Sequence, residues 1–137
     1  MTGNVPEQEF SLPLRVYIED TDAGGIVYYV NYLKFMERAR TEFMRSLGFG
    51  KDSIFSHRLM FVVQSLDLKY IKPATLDDEL EATARALRVG GASMLLAQTV
   101  QRAGEVLVEG QVKIACVDPE TLQPKRMPAE MLGRLRA

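Results

Sequence analysis

The sequence is poor in the residues that most often carry catalysis or bind metals. Its 137 residues include one cysteine (Cys116), one histidine (His57) and no tryptophan. A single cysteine excludes an intramolecular disulfide, and one cysteine with one histidine leaves too few ligands for a Cys/His zinc site. Any chemistry must therefore depend mainly on carboxylates, hydroxyls and backbone amides.

An excess of one charge and long apolar runs are also missing. Seventeen basic and 18 acidic residues give a net charge of -1, whereas nucleic-acid modules usually carry a basic excess. No apolar stretch approaches the ~18 residues of a transmembrane helix. Residues 1–10 lack the basic and apolar regions of a signal peptide. We therefore expect a cytoplasmic protein without a membrane span and without a nucleic-acid partner.

The remaining composition is that of an ordinary globular domain. Hydrophobic residues make up 47% and charged residues 26% of the chain, and the length fits one domain. We expect a single domain over residues 1–137. Residues 1–10 would form a loose lead-in, and residues 119–137 a C-terminal tail with a helical turn or two near 128–135.

A long amphipathic helix is predicted over residues 31–47. Apolar residues recur there every three or four positions, which is the spacing of one helix face. Asn31 is a candidate N-terminal cap and Gly48 a candidate C-terminal stop. The apolar stripe consists of Tyr32, Phe35, Met36, Ala39, Phe43 and Leu47.

The rest of the chain predicts strands joined by short turns. Residues 51–58 look irregular, and Gly90-Gly91 is expected to supply the positive φ angles of a tight turn. Short turns join only antiparallel strands, so the fold class is α+β, with one long helix on an antiparallel sheet of about five strands. Bare sheet edges favour a homo-oligomer. The predicted strands cover residues 14–19, 60–71, 79–88, 93–101 and 106–116.

Residues 19–32 hold the one dense group of candidate functional side chains. Asp22 precedes Gly24 and Gly25, and Tyr29 and Val30 lie at the approach to the helix. Free amides at a helix N-terminus carry partial positive charge and can stabilise an oxyanion, while a carboxylate can attack a carbonyl or activate water. The alternative is a structural turn in which the aspartates bond only to nearby amides.

Other catalytic and metal sites fit the chain poorly. An EF-hand loop beginning at Asp20 would need an oxygen ligand and a glutamate where Gly24 and Asn31 stand. A phosphoryl-transfer aspartate pair needs a βαβ alternation that is absent. His57 lies in a polar segment and is expected at the surface, and Cys116 follows the alternation of a strand and is expected in the core. No metal ligand set is predicted.

The sequence resembles the hotdog-fold acyl-CoA thioesterases over nearly its whole length. It is most similar to the Tol-Pal-associated subfamily within the 4-hydroxybenzoyl-CoA thioesterase group. The resemblance is carried by RVYIEDTDAGGIVYYVNY at residues 15–32 and FMERARTE at 35–42. Residues 61–63, 70–78 and 116–119 also match the subfamily, and the combination is far more specific than DTDAGG alone.

The resemblance implies a fold, an assembly and a set of site residues. The sheet would wrap around the helix, in a dimer or a homotetrameric dimer of dimers with active sites at the dimer interface. Asp22 would be the catalytic carboxylate and the Tyr29 amide the oxyanion donor, with Gly25 and Val30 beside the substrate. Tyr29 replaces the histidine usual in the Tol-Pal subfamily, so any role of that imidazole is missing.

The implied substrate is an acyl-CoA, with an acyl-carrier protein thioester as the alternative, and no cofactor is required. Coenzyme A phosphates need cationic or amide partners, for which Arg88, Gly90 and Ser93 are candidates; Arg85, Lys69 and Lys72 are weaker ones. The expected function is thioester hydrolysis. The alternative is an acyl-carrier or partner-protein binding module of the envelope or lipid-synthesis machinery with weak turnover. A hotdog dehydratase would need a histidine in the constellation, and His57 lies outside it.

Overall fold

The fold is one antiparallel sheet with one long helix packed against it. The computed structural model describes residues 9–136 apart from the side chain of Ser53; most of the predicted lead-in, residues 1–8, lies outside the described residues. The elements in chain order are β1 (Phe10–Arg15), α1 (Asn31–Ser46), α2 (Lys51–Ser56), β2 (Met60–Tyr70), β3 (Glu79–Val89), β4 (Ser93–Arg102), β5 (Glu105–Val117) and α3 (Ala129–Arg136).

The sheet has five strands in the spatial order β1-β3-β4-β5-β2, and every neighbouring pair is antiparallel. This confirms the α+β class and the predicted strand number. The hairpins β3–β4 and β4–β5 join spatial neighbours, whereas β1 and β2 form the two edges. The sheet has two ends along the strand direction. Arg102 of β4 lies at the end where β3 begins, and Ser93 of β4 lies at the end where β3 finishes.

The core lies between α1 and one face of the sheet. Alternate residues of β4 are buried, as the period of a strand requires. The buried face of α1 contains five of the six residues of the predicted stripe, together with Asn31 and Met44, which the stripe did not include. The sixth, Leu47, follows the end of α1 and is only partly buried. Helix α3 adds Met131, Leu132 and Leu135 to the same core, so the C-terminal tail is an integral part of the packed domain.

The structure corrects several local predictions. The first strand occupies Phe10–Arg15 rather than 14–19, and Ile18–Asp20 forms a 3-10 turn. Strand β1 is at an edge, where Pro13 is tolerated because its missing N–H need not serve the ladder. Residues 51–56 form the short helix α2 instead of an irregular segment, because partly buried Ile54 packs on the core.

The predictions for the Gly90-Gly91 turn and for the Asn31 cap were also wrong. Among residues 9–136 the glycines with a positive φ are Gly25, Gly48 and Gly104, so neither Gly90 nor Gly91 has a positive φ. In the β4–β5 turn, Ala103 and Gly104 have positive φ angles. Gly48 ends α1 as expected, but the residue before the helix is Val30, and the Asn31 side chain donates to the Asp20 carbonyl at 2.9 Å rather than capping α1.

The edge strand β2 exposes apolar side chains to solvent. Val63, Leu66 and Tyr70 are 51%, 42% and 46% exposed, and one side of this 11-residue strand has no partner within the described chain. Unpaired edges with apolar side chains are typical of sheets that pair with another chain. Within residues 9–136, no helix is both long enough and apolar enough to cross a membrane.

Candidate active site

The candidate site begins with a tight turn between β1 and α1. Residues Thr21 and Val27 form an antiparallel bridge, and the Asp22 N–H donates to the Ile26 carbonyl at 2.9 Å. Gly25 donates its N–H back to the Asp22 carbonyl at 3.1 Å with a φ of +82°. That region is unfavourable for other residue types, so glycine is needed at this position.

The Asp22 side chain is exposed at the start of this turn. Its Oδ1 accepts a hydrogen bond from the Gly24 N–H at 2.8 Å, which is the contact that the structural-turn alternative predicts. No donor within the described part of the chain reaches Oδ2. The carboxylate is therefore anchored through one oxygen while the other faces solvent, an arrangement that leaves it able to attack a carbonyl or accept a proton from water.

The N-terminus of α1 presents two free amides next to this turn. Between residues 9 and 136, no group accepts a hydrogen bond from the N–H of Tyr29 or Val30, whereas the Tyr28 N–H donates to the Asp20 carbonyl at 2.9 Å and the Asn31 N–H to the Tyr28 carbonyl at 2.8 Å. The helix dipole adds partial positive charge here. These two amides are available to stabilise an oxyanion, the role that the family resemblance implies for the Tyr29 amide.

A cluster of tyrosines surrounds these amides. The ring centroid of Tyr29 lies 5.0 Å from that of Tyr28 and 6.2 Å from that of Tyr70, which lies 5.7 Å from Tyr32. The Tyr70 hydroxyl donates to the Tyr29 carbonyl at 3.4 Å, the carbonyl of the same peptide group as the Val30 N–H. Burial, with Tyr29 nearby, raises the pKa of Tyr70, so it is a neutral donor at neutral pH. Sequence reasoning missed Tyr70, because only the β2 register brings it to Tyr29.

The proposed phosphate ligands lie at the other end of the sheet. Asp22 adjoins the end where β3 begins, while Arg88, Gly90 and Ser93 flank the turn where β3 finishes, and the Gly90 N–H donates to the Ser93 carbonyl at 2.7 Å. A strand of this length spans roughly 35 Å. A single chain therefore does not bring these three residues to Asp22.

A cavity in the described part of the chain is also remote from Asp22. It has a volume of about 650 Å³ and lies between the C-terminal half of α1, α2 and the start of β2. Its apolar lining includes Met44, Phe49, Phe61, Met94, Leu96 and Ile114. Volume and lining are those of a small-molecule pocket, and sequence reasoning did not predict it.

A half-buried arginine, Arg40, lines this cavity. Arg40 donates from Nη1 to Oε1 of the fully buried Gln98 at 3.0 Å, and Gln98 donates from Nε2 to the carbonyls of Met36 and Thr83 at 3.0 and 3.2 Å. Burial lowers the pKa of Arg40 and nearby Glu37 opposes this; a guanidinium still remains charged. A buried amide thus holds a cation at the edge of an apolar pocket.

The other titratable residues considered from sequence lie elsewhere. His57 is exposed beyond α2, and Cys116 is fully buried in β5, as predicted. Burial raises the pKa of the Cys116 thiol, which makes it a poor nucleophile. Across the described ranges, no three Asp, Glu, His or Cys side chains are grouped so as to hold a metal ion.

The chain is similar to proteins of one family. The model of the thioesterase-like superfamily matches residues 16–135. The acyl-CoA thioesterase YbgC of Haemophilus influenzae is 44% identical over 123 residues, covering 89% of this chain and 90% of the relative. The acyl-CoA thioester hydrolase YbgC of Escherichia coli O6:H1 is 38% identical over 128 residues, covering 93% and 96%.

The crystal structure of a probable thioesterase from Bartonella henselae superimposes with a TM-score of 0.84 at 34% identity. The match covers 88% of this chain and 100% of the neighbour. This similarity, with the five-stranded antiparallel sheet and its long helix, confirms the hotdog fold expected from the sequence.

Proposed function

The chain belongs to the thioesterase-like superfamily, and on that premise we propose that it is an acyl-CoA thioester hydrolase that releases a free acid and coenzyme A. One observation carries the assignment of the site: the anchored Asp22 carboxylate and the unpaired Tyr29 and Val30 amides both belong to the short segment between β1 and α1. A binding module has no need of a carboxylate beside an oxyanion site.

The chemistry requires only groups that the chain contains. One Asp22 oxygen attacks the thioester carbonyl carbon, and the carbonyl oxygen becomes an oxyanion that accepts hydrogen bonds from the free amides. The C–S bond then breaks, the thiolate takes a proton, and water hydrolyses the mixed anhydride. In the alternative route Asp22 takes a proton from water, which attacks instead. Either route gains from the oxyanion donors, each worth on the order of 10²–10³ in rate.

We further propose that the complete site forms between two copies of the chain. If the exposed edge of β2 pairs antiparallel with β2 of a second copy, the Tyr70 end of one strand meets the Met60 end of the other. The cavity opens at that Met60 end, where Phe61 and Val63 line it. Pairing would therefore bring the cavity of one copy, and the Arg88, Gly90 and Ser93 turn at the same end, toward Asp22 of its partner.

This arrangement suggests a division of labour within the site. Asp22, Gly25, Tyr29 and Val30 would act on the thioester, while the apolar cavity of the partner takes the acyl group. The phosphates of coenzyme A would bind near Arg88, Gly90 and Ser93, at the end of the sheet where β3 finishes. Lys72 is a weaker candidate because it already pairs with Glu105 at 2.5 Å.

The family resemblance supports four further proposals. We propose an association with the Tol-Pal system, the doubling of a dimer to a homotetramer, a cytoplasmic location, and acyl-carrier protein as an alternative acyl donor. By the family resemblance, the 4-hydroxybenzoyl-CoA thioesterase itself has tyrosine where the Tol-Pal subfamily has histidine. Tyr29, with its 59% exposed ring, therefore supports a preference that differs from the Tol-Pal subfamily.

A panel of acyl-CoAs tests the proposed activity. Thiol release would be measured with short, medium and long aliphatic chains and with one aromatic acyl group, for the wild-type protein and for Asp22→Asn. We expect turnover with at least one class and its loss in the variant. Binding of acyl-CoA without turnover by the wild-type protein would instead favour the acyl-carrier binding module.

A further inference from the structure

The segment between β2 and β3 is held by a compact group of charged side chains. The Asp78 carboxylate oxygen Oδ2 accepts hydrogen bonds from the Thr75 N–H at 2.8 Å, the Thr75 hydroxyl at 3.1 Å and Arg102 Nη1 at 2.7 Å. Arg102 extends from the end of β4, and its Nη2 lies 3.5 Å from Glu105. The Asp78 and Arg102 side chains are 20% and 33% exposed, so this pair is shielded more than the other ion pairs of the described chain.

The same segment forms the back of the Asp22 turn. The Val27 N–H donates to the Ala74 carbonyl at 2.9 Å, and the Leu76 N–H donates to the Gly25 carbonyl at 3.3 Å. Ile26 and Thr75 form an antiparallel bridge. Because Ile26 in turn accepts from the Asp22 N–H, the position of Asp22 depends on where residues 74–76 lie.

Asp78 also fixes the chain that enters this turn. Its carbonyl accepts from the Val16 N–H at 2.9 Å, and the Asp77 N–H donates to the Val16 carbonyl at 3.0 Å. Residues 16 and 25–27, which lie on either side of Asp22 in sequence, are thus both bonded to residues 74–78. Asp22 itself makes no contact with Arg102 or Asp78, so any effect of this pair must pass through the backbone.

We propose that the Arg102–Asp78 ion pair is the positioning device of the site: it holds residues 74–78 so that the Asp22 carboxylate and the Tyr29 and Val30 amides keep their catalytic arrangement. The inference rests on the proposed function, because it assigns a positioning role in that same reaction. The turn itself is exposed and built on only a few hydrogen bonds, so it needs external support. A misplacement of about 1 Å can cost on the order of 100-fold in rate.

A second tether explains why the pair can be tested without unfolding the protein. The Ala74 N–H donates to the hydroxyl of buried Tyr32 on α1 at 2.9 Å, a contact in which Arg102 takes no part. Loss of the ion pair should therefore loosen residues 75–78 and the turn bonded to them, while the core between α1 and the sheet stays intact.

The test compares Arg102→Gln with Arg102→Lys and with the control Arg58→Gln. Arg58 also joins distant residues through an ion pair, with Glu120, and Arg58 and Glu120 are not part of the contacts around Asp22. We expect Arg102→Gln to lower kcat about tenfold or more with KM changed less than about threefold. Arg102→Lys should recover part of the loss because it restores the charge, and Arg58→Gln should remain near wild type.

Amide hydrogen exchange supplies a readout that does not depend on activity. In Arg102→Gln the N–H groups of Asp22, Val27 and Leu76 should exchange faster, while those in the middle of α1 keep their protection. If kcat and these exchange rates both stay at wild-type values, the positioning role is refuted. If Arg102→Gln fails to fold, Asp78→Asn serves as the second variant with the same expectations. If the wild-type protein hydrolyses no acyl-CoA, the proposed function fails, and the exchange arm still decides whether the pair positions the turn.

Discussion

Replacement of Asp22 separates a catalytic carboxylate from a structural turn, because asparagine and alanine disturb different contacts. Asp22 Oδ1 accepts the Gly24 N–H at 2.8 Å, and the side-chain oxygen of asparagine can accept the same bond. Asp22→Asn therefore keeps the turn and removes the charge, whereas Asp22→Ala removes both. If the carboxylate is the nucleophile or the base, both variants should lose about 10²–10⁴ in kcat.

The two variants should differ in stability, although both lose activity. Loss of one side-chain-to-amide hydrogen bond costs about 1 kcal/mol, so Asp22→Ala should lower the Tm by about 3–6 °C while Asp22→Asn remains near wild type. Thiol release with the best acyl-CoA and thermal unfolding would be measured for both variants. Glu19→Gln is the matched control, since it removes an exposed carboxylate from the same segment. Near-wild-type turnover of Asp22→Asn, with reduced turnover of Asp22→Ala alone, would refute catalysis by the carboxylate and support the structural turn.

Three further outcomes follow from the same contacts. Asp22→Asn would be refolded together with an equal amount of Thr41→Trp, whose larger side chain fills the mouth of the cavity. Half of the dimers would then contain one copy of each variant and hold one complete site, so about a quarter of wild-type activity should return. No recovery after co-refolding would contradict a shared site. Gln98→Leu should lower the free energy of unfolding by about 1–3 kcal/mol in urea titrations, because Arg40 loses its buried partner; an unchanged midpoint would refute this. Burial alone would raise the pKa of Asp78, but bonds from Thr75 and Arg102 outweigh it and hold that pKa below its usual value. The charged carboxylate therefore stabilises the fold at neutral pH. This stability is lost as the pH falls from the ordinary aspartate range, near 4, through the lowered pKa. Wild type and Asp78→Asn should then converge in Tm at acid pH, and parallel curves would show that Asp78 adds nothing.

The local predictions succeeded where the signal lies within a short stretch of chain. The apolar period of α1 and the alternation of β3, β4 and β5 identify these elements to within one or two residues, because backbone geometry imposes those periods directly. Asp22, Gly25 and the amides of Tyr29 and Val30 could be proposed as site groups from the sequence for a similar reason. They are neighbours in sequence, in the segment that leads into α1, and their roles stay predictions.

The errors arose where a local pattern competes with packing. Strand β1 begins at Phe10 and passes through Pro13, which an edge position tolerates. Helix α2 is short and polar, and its formation depends on the contact of Ile54 with the core. The positive φ expected at Gly90-Gly91 occurs instead at Ala103 and Gly104, because each hairpin takes the turn that its strand register requires.

The sequence by itself determined the fold class, the long helix and the segment before this helix that contains the candidate carboxylate and amides. Only the tertiary structure decided what surrounds them. The contact of Tyr70 with Tyr29, the support of residues 74–78 by Arg102, and the cavity at the opposite end of the sheet all join residues far apart in the chain. Such contacts depend on strand order and register, which local residue patterns do not encode.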